Sequence, residues 1–216
     1  MPDDTKTWSL IHAERVKLAD TIEGLSQEQW RTPSLCAGWN VGAMAAHLLS
    51  SAEQTPGHFM GGMVTSGFSF NRMMQRDINA RADLTGQQIA ARLRQRTTTT
   101  NKPPAPTAAM LGEVVVHGED LRRPLGLTST VDADAANTCL DMYTKASFPV
   151  GGKKRIAGLR LVSTDTGWSY GAGPEVRGPA MSLLLAMTGR PAGLDDLSGD
   201  GAAVLGGRLG APSPVG

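Results

Sequence analysis

Glu113 and His117 stand four residues apart inside TAAMLGEVVVHGEDLRRPLG (107–126), and that spacing constrains the chain more than any other feature. In a helix the two side chains lie on one face, one turn apart. There a carboxylate oxygen and an imidazole nitrogen can take two corners of a zinc or similar divalent site, leaving the rest to another helix and to solvent. In a strand the same residues share a face at a separation of about 13 Å, too far for one ion. Val114, Val115 and Val116 are β-branched and Gly112 lowers helix propensity, so the run taken alone admits both readings. Thr107 as an N-cap after a proline-rich stretch, with Pro124 and Gly126 as the stop, favours one helix of about four turns. A third ligand has to come from elsewhere, and His12, His47 and His58 are the candidates.

The helices that would supply it can be read in order. Trp8, Ile11, Arg15, Leu18, Ile22 and Leu25 recur at steps of three and four, which predicts an amphipathic helix over 5–25. His12 lies beside that stripe and reads as a structural or solvated residue. Ser26 and Gln29 have capping-box spacing, so a short helical turn carries Trp30, and TPSLCAGWN follows as a loop. Asn40 caps the next helix, which Pro56 and Gly57 are expected to end. Within it Met44, His47, Leu48 and Ser51 share an inward face, and an inward histidine needs a partner. That partner is a backbone carbonyl or carboxylate in a plain core, or a metal shared with Glu113 and His117.

The stretch HFMGGMVTSGFSFNRMMQRD (58–77) has two readings: an adaptable apolar wall around a pocket, or a loose connection plugging the core. Thr85 and Gln88 again have capping-box spacing, with Leu84 and Ile89 as a hydrophobic staple, and open a third long helix whose Arg92, Arg94 and Arg96 read as a solvated face. Pro103, Pro104 and Pro106 then exclude helix before the Glu113–His117 segment. Four main helices with two longer connections predict a four-helix bundle, in which facing helices build metal sites from inward ligands.

After Gly126 the pattern changes. A helix is expected over 132–146, a break at FPVGGKK, strands in IAGLRLVST, TGWSYGAG and PEVRG, a helix in PAMSLLLAM closed by Gly189, and a last short helix after LSGD. The glycines, 26 in 216 residues, concentrate after Gly57 and again after Gly151. These signs predict a bundle over 1–150 and a small α+β unit over 151–216 with a mobile APSPVG tail.

Composition limits the functions open to such a chain. The 21 basic and 20 acidic side chains cancel and no cluster of Lys and Arg stands out, so a nucleic-acid partner is set aside. Cys36 and Cys139 form no CxxC, the usage of a reduced cytoplasmic protein. Neither a signal peptide nor a membrane span is expected from the polar MPDDTKTW start and the lack of a charge-free apolar run of about 18 residues.

The PSLCAGWNVGAMAAHL and GEVVVHGEDLRRPLG segments, with a GR...SGD carboxy-terminal half, resemble the mycothiol-dependent maleylpyruvate isomerase family. The resemblance covers most of the chain and is loosest after Gly151. It implies a mainly α fold: a DinB-like four-helix bundle followed by a small α+β C-terminal unit. The family's metal is held by a His on the second helix and by a Glu and a His four apart on the fourth, positions filled here by His47, Glu113 and His117. The resemblance further implies zinc or a related divalent ion, mycothiol as cosubstrate, and a carboxy-terminal unit that helps hold the thiol; its basic residues Arg177 and Arg190 are the candidate contacts, Arg190 reading equally as a solvent-exposed cap after a helix end.

Two neutral imidazoles and one carboxylate leave an ion net positive with open positions, able to bind a thiol, lower its pKa and hold the thiolate near an electrophile. Asp120, three residues after His117, is the candidate catalytic residue: it accepts a proton, or a hydrogen bond from a ligand imidazole. Its other reading is a helix-end residue paired with Arg122 or Arg123. Cys36 reads as a small buried residue rather than a nucleophile. The expected function is metal-dependent, mycothiol-using transfer or isomerisation of a small electrophile, and the alternative is a non-catalytic binder of metal or a small ligand on the same fold.

Overall fold

A computed structural model of the chain describes residues 4–128, 131–147 and 150–209. The chain divides into two compact units, over 1–130 and 131–214.

In the first unit, α1 (Asp4–Glu23) buries Trp8, Ile11, Arg15, Leu18 and Ile22, the stripe read from the sequence. The short α2 (Gln27–Arg31) opens on a reciprocal capping box: Ser26 Oγ accepts from the Gln29 amide and Gln29 Oε1 accepts from the Ser26 amide. Its Trp30 indole lies so close to Gly42 that any Cβ there would collide with the ring. Glycine at 42 thus seats α2 on α3 (Val41–Glu53), whose N-cap Asn40 accepts from the Ala43 amide at 2.8 Å.

Pro56 does not merely stop α3. It occupies the first turn of α4 (Pro56–Thr65), with Thr55 as N-cap, a position where proline's missing N–H has no partner to lose. α5 (Phe70–Asn79) comes next, so the segment that admitted a wall or a loose connection is two packed helices, with α5 lying on α3 and on α4. α6 (Gly86–Gln95) opens on the expected Thr85–Gln88 capping box. α7 (Thr107–Arg122) runs as one helix and a 3₁₀ turn over Arg123–Leu125 leads to Gly126, whose φ of 65° ends it. Thr107 is not its cap: Pro106 holds that place without a side-chain hydrogen bond, and Thr107 is buried.

The bundle consists of α1, α3, α6 and α7, with α1 and α3 each packed on both α6 and α7. Val114, Val115 and Val116 are all buried, because α7 has neighbours on more than one side. That tertiary environment overrides the weak helix propensity of the valine run. Arg92 is not simply solvated; it joins Arg81 on the buried carboxylate of Glu53.

The second unit begins with α8 (Ala133–Tyr143), capped by Asp132. A single turn, α9 (Gly152–Arg155), precedes a three-stranded sheet of β1 (Arg160–Ser163), β2 (Ser169–Gly171) and β3 (Glu175–Gly178). The order is β2–β1–β3, antiparallel between β1 and β2 and parallel between β1 and β3. α10 (Ala180–Met187) is apolar on every side, and its run from Ser182 to Met187 is buried among α8, the sheet and a 3₁₀ segment over Pro191–Asp196. Gly189, at a φ of 92°, ends it, and α11 (Asp200–Gly206) closes the unit.

The unit boundary falls near residue 130, not 150. Ala135, Ala136, Cys139 and Leu140 of α8 are buried and α8 packs on α10, which ties it to the second unit. Phe148 and Pro149 of the expected break, and the APSPVG tail, lie outside the described residues. No helix among the described residues is long and apolar enough to cross a membrane.

Candidate functional site

α3 and α7 face each other in the bundle, and their inward polar residues meet. His47 sits among Met44 and Leu48 with only 7% of its surface exposed. Its Nε2 lies 3.2 Å from Glu113 Oε2, and His117 Nε2 lies 3.8 Å from the same oxygen. The two imidazole rings stand edge to face, with centroids 4.9 Å apart. One ligand atom from each of His47, Glu113 and His117 falls within 4.8 Å of the others. Ligands about 2.1 Å from a tetrahedral ion lie about 3.4 Å from one another, so the observed spacings suit such an ion with little movement.

The other nitrogen of His117 is held separately. Its Nδ1 donates to Asp120 Oδ2 at 2.7 Å, and the Cys36 thiol donates to the same oxygen at 3.1 Å. Asp120 is fully buried, on the side of His117 away from Glu113 and His47. A ligand imidazole anchored by a carboxylate on its far nitrogen has its ring orientation and tautomer fixed. Asp120 is therefore placed to position His117, not to reach a molecule bound at Nε2.

Cys36 arrives there through its loop. The Leu35 amide donates to the Asp120 carbonyl at 3.1 Å, while Ser34 Oγ donates to the Trp39 carbonyl at 2.9 Å and accepts from the Cys36 amide at 3.2 Å. Trp39, from the same loop, lies against His47 with ring centroids 5.1 Å apart. Cys36, His117 and Asp120 also come within ligand distance of one another. Their atoms, however, already satisfy one another in a closed cluster, whereas His47 and Glu113 line open space.

Burial pushes the His47 imidazolium down from its ordinary pKa, and the hydrogen bond to Glu113 only partly offsets this. His47 is thus neutral and ready to donate a lone pair. At His117 burial also disfavours the charged form, but the Asp120 hydrogen bond, with Cys36 and the Glu113 charge, outweighs it and raises the pKa to about 10.

A cavity of about 270 Å³ opens beside His47 and Glu113. Phe59 from α4 and Phe70, Met73 and Met74 from α5 form one wall, and Met110 from α7 faces them. The Met- and Phe-rich stretch is therefore an apolar pocket wall, the first of its two readings.

The remaining candidates lie elsewhere. His12 Nε2 is 3.0 Å from the Thr99 carbonyl, a structural contact. His58 is part-exposed at 3.8 Å from Asp77 and belongs to neither ligand cluster. Arg177 and Arg190 are in the second unit: Arg177 is half-exposed and donates to Glu175 at 2.8 Å, and Arg190 donates to the Thr188 carbonyl at 2.8 Å. The residue that sequence reasoning underrated is Cys36; its loop has no periodicity, and only its place in TPSLCAGW pointed to the site.

Residues 11–106 match the family of mycothiol maleylpyruvate isomerase N-terminal domains. Among solved structures, the chain is similar to the mycothiol-dependent maleylpyruvate isomerase, with a TM-score of 0.63 and 14% identity over 93% of this chain and 94% of that one. A histidine-to-alanine mutant of that enzyme gives 0.61 and 15% over the same shares. At this identity the likeness speaks to the fold. No curated protein gives a significant match.

Proposed function

We propose, for a chain whose residues 11–106 match the family of mycothiol maleylpyruvate isomerase N-terminal domains, a divalent-metal-dependent, mycothiol-using transferase or isomerase acting on a small electrophile. The observation that carries this reading is the convergence of His47, Glu113 and His117 beside an apolar cavity that His47 and Glu113 line, with His117 anchored from behind by Asp120. The donor set fits a divalent ion such as zinc: two imidazoles and one carboxylate, one of those imidazoles kept neutral by burial. Bound there, such an ion supplies Lewis acidity that turns a thiol into a thiolate near neutral pH.

The chain's own residues do the rest. His47 and His117 would hold the ion through Nε2, His117 giving up its Nε2 proton to do so, and Glu113 would supply the negative charge. Asp120 keeps the His117 proton on Nδ1, with the Cys36 thiol donating to the same carboxylate. Phe59, Phe70 and the methionines exclude water from the reacting carbon. Recognition of the thiol by Arg177 and Arg190 is part of the same proposal and is read from the thiol affinity of their alanine variants.

The test begins with metal content of the full chain, purified without added metal or a histidine-rich tag. About one equivalent is expected in the wild type and little in His47→Ala. Glu113→Ala and His117→Ala are expected to abolish mycothiol-dependent turnover; turnover that persists in both would remove the proposed site.

A further inference from the structure

The same cavity carries information about what it admits. Among the described residues that line it there is no lysine and no arginine. Its charged groups are the carboxylates of Glu113 and Asp77, and Asp77 is met by Arg76 at 3.3 Å and His58 at 3.8 Å, neither of which lines the cavity. A carboxylate entering would leave water for a wall of Phe and Met, facing two acidic side chains with no lysine or arginine on the lining to receive it, an arrangement that disfavours the charged form. The proposed metal does not reverse this: two positive charges on the ion are cancelled by Glu113 and by a bound thiolate.

Two further side chains indicate what is favoured instead. Ser50, in the last turn of α3, and Gln54, its C-cap, line the cavity and are 5% and 7% exposed. No side-chain hydrogen bond joins either to any described residue. Their hydroxyl and amide face the cavity, where water or an entering molecule pairs with them. Both can donate to a neutral carbonyl oxygen.

We propose that the electrophile of this site is a neutral, largely apolar α,β-unsaturated ketone, ester or amide, its carbonyl held by Ser50 and Gln54, and not a carboxylate or dicarboxylate. This rests on the thiol-activating function proposed for the site. In the step itself the thiolate sulfur bonds to the electron-poor β-carbon and the C=C π pair shifts toward the carbonyl. The proton given up by the thiol returns to the α-carbon, so that no oxidant or reductant is consumed.

Unreactive saturated probes separate pocket from chemistry. Calorimetric titration of the full chain, metal-free, is expected to show hydrocinnamamide binding at least about tenfold more tightly than hydrocinnamate. Gln54→Leu is expected to weaken amide binding by about three- to tenfold, and Ala109→Trp, which fills the cavity from α7, to remove it. Equal or tighter binding of hydrocinnamate, no binding of either probe, or amide binding unchanged in Ala109→Trp would overturn the assignment. Metal content is a separate readout: a chain that prefers the amide but takes up no metal keeps its pocket and loses the thiol-activating reading. One that takes up metal and prefers the carboxylate does the reverse.

Discussion

Asp120 is the residue on which the geometry of the site turns. It is fully buried, and one of its oxygens receives both the His117 Nδ1–H and the Cys36 thiol. Asp120→Asn keeps the volume but removes the charge, so the ring loses its strongest fixed acceptor. The expected result is a metal affinity lower by about 10- to 100-fold, with little change in helical content; competition with a chromogenic chelator measures it. Affinity equal to wild type would mean that packing alone orients His117. This part of the site was legible in sequence, because i, i+3 and i, i+4 spacing fixes which side chains of one helix meet. His47 was legible as an inward residue, since Met44 and Leu48 set the face. Cys36 was not, because it is placed by the Leu35 amide bonding to the Asp120 carbonyl, and no periodic pattern encodes a loop docked on a helix.

Elements announce themselves through their ends. Asn40, Ser26–Gln29 and Thr85–Gln88 all cap as read, since capping depends on a few adjacent atoms. α4 and α5 were missed, although Thr55 followed by Pro56 is as good a helix start as any in the chain. Their Gly, Met and Phe residues hid the period because one side is a pocket wall instead of packed core. How the helices are tied together was also hidden. Glu53 at the end of α3 receives Arg81, just past α5, at 2.8 Å and Arg92 of α6 at 2.6 Å. Burial pushes its carboxyl pKa up, but those hydrogen bonds outweigh it and hold the value below the usual range. With the folded value below the unfolded one, the contribution is fully present above the unfolded pKa of about 4.3 and is lost as pH falls through the folded value. Glu53→Gln is expected to cost about 2 kcal/mol at neutral pH, less than a wholly buried pair because Arg92 stays partly in water. Urea unfolding across pH should show the gap to wild type narrowing below about pH 4. A gap that does not vary with pH would assign the loss to packing rather than charge.

At the scale of the whole molecule, the glycine-rich stretch near 150 looked like a domain boundary, whereas the two compact units divide near 130. Turn composition reports where the chain bends, whereas a boundary is decided by which apolar faces cover each other, and that requires knowing the partners. The junction lies between Gly126, left-handed at a φ of 65°, and Asp132, which caps α8. Everything the proposed metal site needs, from α1 to α7 with His47, Glu113, His117 and the cavity, precedes it. A fragment of residues 1–130 is therefore expected to unfold cooperatively by circular dichroism and to take up the same metal equivalent as the full chain. A fragment of 1–150 carries α8 without α10, exposing the face of Ala135, Ala136, Cys139 and Leu140 that is buried in the full chain. That face adds apolar surface with nothing to cover it. Light scattering on heating should show the longer fragment aggregating at the lower temperature. If the two fragments behave alike, or the longer one is the more soluble, α8 belongs with the bundle and the boundary returns to 150.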